Sequence, residues 1–332
     1  MAKVRLADIA KVAGVSAVTV HNAITGQKGV SDEMRARILE IAKEMGYRQP
    51  GSGARNTQGK SLRCIGVVIP ERYLAEYTTF YWKMYQEMAL AATEKSCMVT
   101  VEILKHEMED EMIVPCIAKE QTVDALILMG DTSRDYIHYL KKNDLPIVFL
   151  DFYDNELAKD AVIADNFHGM YLMTEYLYEH GLTKLAFVGS IHFSSSIMDR
   201  YCGFSKAVLE HRDVTPAEWI LEDRDERGQI EIHLPEQMPE AFVCNCDLTA
   251  GLLMLELEKR GISVPEDVSV VGFDNYLYPG FPDLKITSYE INTKAMVKVA
   301  LEKALKQIRG AASGKNMEIV SGQLVPKESV KL

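Results

Sequence analysis

From residue 64 onward the chain alternates short apolar runs with amphipathic stretches, and this alternation restricts the fold more than any other feature. Runs at 65–69, 99–104, 125–129 and 147–150 read as buried strands, and a second series follows at 162–164, 185–188, 241–244 and 268–272. Helical spacing places helices near 81–95, 134–143, 167–180, 200–210, 248–260 and 292–309. Strand, helix and strand repeated in this way imply parallel sheets covered by helices on both faces. Two series imply two lobes, and ligands in such folds gather beyond the carboxyl ends of the strands. No apolar run approaches the roughly 18 residues of a membrane-spanning helix, and the sequence shows no short repeat period or coiled-coil heptad.

The first 63 residues have a different texture. They hold 5 Lys and 6 Arg against 2 Asp and 3 Glu, a balance of +6, so the net charge of −11 leaves −17 on the remainder. A small basic head on a large acidic body points to a nucleic-acid contact confined to the head. Three short helices are expected there. Leu6, Ile9, Ala10 and Ala13 recur at helical spacing, and Gly14 supplies the left-handed stop. Ser16 caps a second helix with Val20, Ala23 and Ile24 on its apolar side. Ser31 caps a third, whose apolar face is Met34, Ile38, Ile41, Ala42 and Met45. Two helices about a tight turn at 14–16 have the spacing of a DNA-reading helix-turn-helix. Ala17, Val18, His21 and Asn22 then share the outward face. Asn22 can pair with adenine, and Ala17 and Val18 can touch a thymine methyl. Ser16, Thr19, Lys28 and Arg55 are the expected companions, holding backbone phosphates and the linker's groove. Residues 48–61, RQPGSGARNTQGKS, read as a linker by composition.

These segments carry a family resemblance. LADIAKVAGVSAVTV and GVSDEMRARILEIAKEMGY resemble the opening of LacI-type (LacI/GalR) bacterial transcriptional regulators. CIGVVIP, IADNFHGMYLMTEYLYEHGLTKLAFVG, RYCGFSKAV and AFVCNCDLTAGLLMLELEKRGISVPEDVSVVGFDN continue the resemblance over nearly the whole length. The resemblance implies an α/β protein, with an all-α helix-turn-helix head and a two-lobed, periplasmic-binding-protein-like body of doubly wound parallel sheets. The expected divisions are a DNA-binding domain at 1–47, a hinge linker at 48–62, lobe 1 at 63–160 with 291–318, and lobe 2 at 161–290 with 319–332. Two departures stand out. His21, Asn22, Ala23 and Ile24 occupy the place of the family's Ser-Arg-Val-Leu, which predicts a different operator preference. In the hinge, Pro50, Ala54 and Arg55 keep step, but Gly51 replaces an asparagine and Thr57 replaces the leucine that wedges a base step open. The hinge glycines each weaken a helix by roughly 1 kcal/mol, so a smaller DNA bend is expected.

Several polar residues fall just past expected strands: Asp151, Asp165, Asn245, Asp247 and Asp274, with Arg200 expected to open a helix. Sugars need paired donors and acceptors around their hydroxyls and flat apolar faces for their rings. Phe80, Tyr81, Trp82, Phe193, Trp219, Tyr276 and Tyr278 are available for the second task. The resemblance implies Arg200, Asn245 and Asp274 as effector contacts, with Phe80 and Tyr81 on the first lobe's side; Asp151 completes the candidate set. Asp165 and Asn166 also suit a helix cap. The segment DERGQIEIHLPEQMP, 225–239, stands where the family usually carries a longer helix.

Enzymatic readings find little support. No GxGxxG, P-loop, GxSxG or HExxH occurs. Cys244 and Cys246 make at most half a zinc site, and His192 with residues 194–196 has no evident triad partner. No catalytic residue, metal or cofactor is expected. The six cysteines are thinly spread, which fits a reducing compartment, and MAKVRLADIAK lacks the apolar core of a signal peptide. The expectation is a cytoplasmic repressor, without membrane association, that binds double-stranded operator DNA as a homodimer. A small effector, a sugar or sugar derivative, is expected to control it. An activator of the same build and a cytoplasmic solute-binding protein are the alternatives.

Overall fold

The computed structural model describes residues 4–25, 27, 29–45, 47, 63–74, 80–120, 122–143, 145–154, 160–278, 282–310 and 316–331. The chain divides into two compact units, Met1–Leu62 and Arg63–Leu332.

In the first unit, α1 (Leu6–Ala13), α2 (Ala17–Thr25) and α3 (Asp32–Glu44) enclose one small core. Ile9, Val20 and Ile38 are fully buried at its centre, with Ala10, Ala13, Ala23, Ile24 and Ala42 around them. Burial of Ile9, Val20 and Ile38 contributes roughly 1.5–3 kcal/mol each by leaving water. The ends are set locally. Asp8 accepts from the Arg5 backbone N–H at 2.7 Å, and Gly14 takes the left-handed φ of 72° that ends α1. Ser16 Oγ accepts from the Thr19 N–H at 3.1 Å, and Ser31 Oγ from the Met34 N–H at 3.4 Å, so both expected serine caps are present.

The second unit contains two six-stranded sheets. Its elements run β1 (Arg63–Pro70), α4 (Phe80–Glu94), β2 (Cys97–Leu104), α5 (His106–Asp110), α6 (Cys116–Lys119), β3 (Ala125–Met129), α7 (Arg134–Leu140), β4 (Ile147–Leu150) and β5 (Asp160–Ala164). They continue with α8 (Asn166–Glu179), β6 (Leu185–Val188), α9 (Ser195–Glu210), β7 (Ile220–Leu221), β8 (Ala241–Cys244), α10 (Asp247–Lys259) and β9 (Ser269–Asp274). The last are β10 (Thr287–Glu290), α11 (Thr293–Ile308), β11 (Asn316–Val320) and β12 (Gln323–Val325). One sheet has the order β2-β1-β3-β4-β5-β11, parallel throughout. The other has the order β7-β6-β8-β9-β10-β12, parallel except for β12, which runs antiparallel to β10. The chain passes between sheets after β5, after β10 and after β11.

Three features differ from the sequence-based expectation. β5 belongs to the first sheet, where it pairs with β4 and β11. The first lobe's sheet therefore extends through residue 164 instead of ending at 160, and β11 carries it past 318 to 320. Apolar texture alone could not allocate β5, because strands buried in either sheet look alike. Second, β12, which follows β11 after only Ser321 and Gly322 but lies in the other sheet, runs antiparallel to β10 at that sheet's edge. Third, Arg200 does not open α9. That helix begins at Ser195, with Ser194 Oγ accepting from the Ile197 N–H at 3.3 Å, so the serines expected in a loop form its cap and first turn.

Packing of α9 depends on a glycine. A Cβ on Gly203 would strike the Phe167 carbonyl oxygen, so only glycine lets α9 lie this close to α8.

Candidate functional site: an exposed helix face and a cavity between two sheets

On the head, α2 presents the expected stripe. Ala17, Val18 and His21 are exposed, and Thr19 and Asn22 are half-buried. Val18 is 68% exposed, so its methyl groups are open to a partner surface. Sequence reasoning missed what fixes this helix. From α3, Arg35 donates to the carbonyls of Asn22 at 3.0 Å, Ala23 at 2.9 Å and Gln27 at 2.7 Å, closing the end of α2 with one guanidinium. Arginine three to four residues into the third helix is the only trace this leaves in the sequence. Lys28 and Arg55, together with the hinge residues Pro50, Gly51, Ala54 and Thr57, lie outside the described residues.

In the body, a cavity of about 370 Å³ opens at the carboxyl ends of both sheets. All six residues proposed from sequence as effector contacts line it: Phe80, Tyr81 and Asp151 from the first lobe, Arg200, Asn245 and Asp274 from the second. Their placement follows from the strands. Asp151 follows β4, Asn245 follows β8, and Asp274 ends β9. Asp151 and Asp274 hold φ of 68° and 100°, a strained backbone that turns their carboxylates off the strand axis.

Polar groups here are arranged in advance of any ligand. Arg200 is 5% exposed and donates Nε to Asn166 at 2.8 Å and Nη1 to the Asn245 carbonyl at 2.6 Å. Its Nη2 lies 3.4 Å from Asp274 Oδ1, and the guanidinium sits 4.0 Å over the Phe273 ring. Tyr81 donates its hydroxyl to Asp151 Oδ2 at 2.8 Å, while the buried Oδ1 of Asp151 has no hydrogen-bond partner among the described residues. Burial pushes Asp151 above the ordinary carboxylate range. At Asp274 burial outweighs the attraction of Arg200, and Asp247 and Asp151 add repulsion, so its pKa rises to about 8. Asp247 is pushed up to about 7 by burial, against hydrogen bonds from Ser288 and the Tyr276 N–H.

A second network behind Asn245 was not foreseen. Asp223, fully buried, accepts from the Ser190 N–H at 2.8 Å, Thr249 Oγ1 at 2.6 Å, Asn245 Nδ2 at 2.7 Å and the Nε and Nη2 of Arg224. Burial alone would raise this carboxyl, but Arg224 and the converging donors win and hold it at about 2. Asn245 is therefore oriented by Asp223 and Arg224 as well as by its own strand. The signal was available, because a polar pair follows an apolar one in WILEDR, but β7 has only two residues and escapes any periodicity test.

Bonds also cross the cavity. Ser195 N–H, at the start of α9, donates to Asp131 Oδ2 at 3.2 Å, and Ser196 Oγ donates to the Asp151 carbonyl at 3.0 Å. The two lobes are thus held together around the space they enclose.

Other candidates go elsewhere. Phe193 and Tyr278 line the cavity, but Trp219 is buried beneath β6 and β8 with Nε1 donating to the Gln237 carbonyl at 3.0 Å. Trp82 turns its ring to Tyr85. Asp165 caps α8 through the His168 N–H at 3.3 Å, while Asn166 serves Arg200. Cys246 faces Arg224 and Thr249, and no group of three or more potential metal ligands occurs among the described residues. Within those residues, no helix is long and apolar enough to cross a membrane.

Comparison with known proteins bears on both regions. Residues 5–49 match the family of bacterial regulatory proteins, lacI family, and residues 174–330 match a periplasmic binding protein-like domain. The HTH-type transcriptional repressor PurR of Aliivibrio salmonicida (strain LFI1238) is 25% identical over 330 residues, 97% of this chain and 98% of that protein. Among solved structures, the lac repressor dimer bound to operator and the anti-inducer ONPF aligns over the full length of both chains, with a TM-score of 0.68 and 19% identity. The complex of the transcriptional regulator CelR with cellobiose covers 98% of this chain and 100% of its own, with a TM-score of 0.67 and 20% identity. The helix-turn-helix head thus matches the lacI family of bacterial regulatory proteins and the two-sheet body a periplasmic binding protein-like domain, in a chain that aligns end to end with a repressor of that build.

Proposed function

We propose that this protein is a sequence-specific transcriptional repressor, acting in the cytoplasm as a homodimer on a palindromic operator, and that a sugar or sugar derivative sets its affinity for DNA. The observation that carries the reading is the cavity walled by both lobes and crossed by Ser195–Asp131 and Ser196–Asp151 bonds. A ligand there touches both lobes at once, so it binds one lobe arrangement better than another and shifts the balance between them. Coupling of that kind is typically worth about 1–3 kcal/mol. The carboxyl groups of Asp151 and Asp274 and the amide of Asn245 suit hydroxyls, and Phe80, Tyr81 and Phe193 supply the apolar faces a sugar ring needs. The structurally similar regulator CelR is a complex with cellobiose, which supports a carbohydrate. On the head, Ser16, Ala17, Val18, Thr19, His21 and Asn22 meet the major groove, with Asn22 reading adenine. Lys28 and Arg55 contribute from the loop and hinge, and two heads supply the contacts that one head lacks. No residue is assigned a catalytic role.

The test is selection of DNA from a random palindromic library by the full chain. Operator affinity is then measured against a panel of sugars and nucleobases. A selected palindrome bound far more tightly than random DNA, with one sugar moving that affinity, is the expected result. Equal affinity for random DNA at physiological salt overturns the repressor reading. A response to nucleobases and to no sugar overturns the carbohydrate reading alone.

A further inference from the structure

Four guanidinium groups line the cavity: Arg72, Arg200, Arg224 and Arg227. Three are paired with this chain's own acidic side chains. Arg72 donates to Glu109 at 2.7 Å, Arg200 lies 3.4 Å from Asp274, and Arg224 grips Asp223 at 2.6 Å. Arg227 pairs with no carboxylate among the described residues. It stands at the mouth of the cavity on a hairpin, 224–230, closed by a bridge between Arg224 and Ile230.

This hairpin is built to be held. Asp225 Oδ1 accepts from the Arg227 and Gln229 N–H groups, both at 2.9 Å, so the nearest carboxylate is spent on the turn itself. Gly228 takes a φ of 83°, and a Cβ there would lie 3.1 Å from the Phe193 ring and 3.6 Å from the Arg72 carbonyl of the other lobe. The hairpin thus presses its tip against both walls of the mouth. Around it Arg72 lies 5.3 Å over Tyr73 and Arg224 5.3 Å from Phe193, leaving an aromatic rim that carries positive charge. The same cavity holds acceptors at Asp131, Asp151, Asn245 and Asp274, and neither Asp131 nor Asp151 forms an ion pair among the described residues. A ligand filling this space meets acceptors for its hydroxyls and, at Arg227, a guanidinium free to take a negative charge.

We infer that the effector carries an anionic substituent, a carboxylate or a phosphate, on a polyol frame, and that Arg227 on the 224–230 hairpin selects it. The inference rests on the reading of this cavity as the effector site. It assigns a role to the segment that replaces a helix in the family pattern.

The experiment uses the full chain in matched sets: glucose with gluconate, glucuronate and glucose 6-phosphate, and galactose with its corresponding acids and phosphate. Thermal shift identifies binders and calorimetric titration ranks them, with R227Q and R227K measured beside the wild type. The acidic member of a set is expected to bind more tightly than the neutral one. R227Q should weaken the acidic member by about tenfold or more and the neutral one hardly at all, while R227K retains most of the affinity. Carboxylate against phosphate within one set identifies the anion. A neutral sugar that binds as tightly as its acids overturns the inference while leaving the carbohydrate reading intact, as does an R227Q protein that binds the acid like wild type. Binding of adenine or hypoxanthine with no sugar of either kind overturns the carbohydrate reading itself.

Discussion

The head and the body present their functional groups in opposite ways. On α2 the groups stand towards solvent, Val18 and His21 exposed and Asn22 half so, and Arg35 holds the end of the helix that carries them. In the cavity almost every polar group is already bonded to another, and Arg200, Asn245 and Asp274 are each less than a tenth exposed. The difference follows from the partner. A DNA groove brings its own charge and a rigid pattern of donors, so side chains that adapt can read it. A small ligand brings few contacts, so the site must be organised beforehand. Substitutions should therefore act on the body mainly through lost organisation and on the head mainly through lost contacts.

The sharpest way to break this comparison is Asp223→Ala. It removes the acceptor for four separate donors and leaves Arg224 charged in a buried place. The expected cost is about 3–5 kcal/mol, seen as earlier denaturant unfolding of the body and loss of any ligand-induced thermal shift. Asp223→Asn should recover part of it, since the amide oxygen still accepts. A body as stable as wild type would mean the network is not what organises Asn245.

Arg35→Ala is the matching test on the head and should be smaller. Three carbonyl acceptors lose a charged donor, each partly able to turn to water, for a total of about 1.5–3 kcal/mol. Specific and non-specific DNA binding should weaken together, because α2 as a whole loosens. Asn22→Ala, by contrast, should cost roughly 1–3 kcal/mol for the operator alone. Were Arg35→Ala to spare non-specific binding, Arg35 would be a base-reading residue and the argument from its geometry wrong.

Acidity separates the two regions further. Asp247 and Asp274 bind protons more tightly in the folded body, at about 7 and about 8, than in the unfolded chain, where an aspartate titrates near 3.8. Between those limits the folded body holds protons that the unfolded chain has released, so its stability falls as pH rises from about 4 towards 8. The slope is at most about 1.4 kcal/mol per pH unit for each group. Asp223 acts in the other direction and only in acid, its contribution being lost as pH falls from about 4 towards 2. Melting of the body from pH 5 to pH 8 should decline, and Asp274→Asn should flatten the decline. A flat wild-type profile would show Asp274 to be ionised throughout beside Arg200.

Much of this architecture was legible in the sequence, for reasons that also mark where legibility ended. The apolar periodicity of Ile9, Val20 and Ile38 revealed the head because a three-helix core has one inside. The strand-end rule found Asp151, Asn245 and Asp274 because parallel sheets gather the loops that follow their strands at one end. It could not find Asp223, which follows a strand of two residues, nor Arg227, whose hairpin has no period at all. Nor could it allocate β5, since pairing is a property of two strands and the sequence shows one at a time. Arg35 escaped because an arginine that bonds carbonyls on another helix looks the same as one that faces water.

The smallest effect belongs to Ser16, and it tests whether a head residue acts by contact or by organisation. Ser16 Oγ accepts from the Thr19 N–H at 3.1 Å and shares a hydrogen bond with Thr19 Oγ1 at 2.9 Å, so it both caps α2 and fixes a hydroxyl proposed to face phosphate. Ser16→Ala should cost about 1 kcal/mol through the cap alone. A head of this size has little stability in reserve, so the loss lowers the fraction of heads able to bind, and apparent affinity falls in proportion to that fraction. The fall should therefore be equal on operator and random DNA, and the salt dependence should keep its slope, since no charged contact is removed. Ser16→Asp restores the cap but sets a negative charge before the phosphates. It should recover the melting temperature of the head and still bind DNA less well than Ser16→Ala. If the aspartate instead binds as well as the serine, position 16 faces no phosphate and its role ends with the helix it begins.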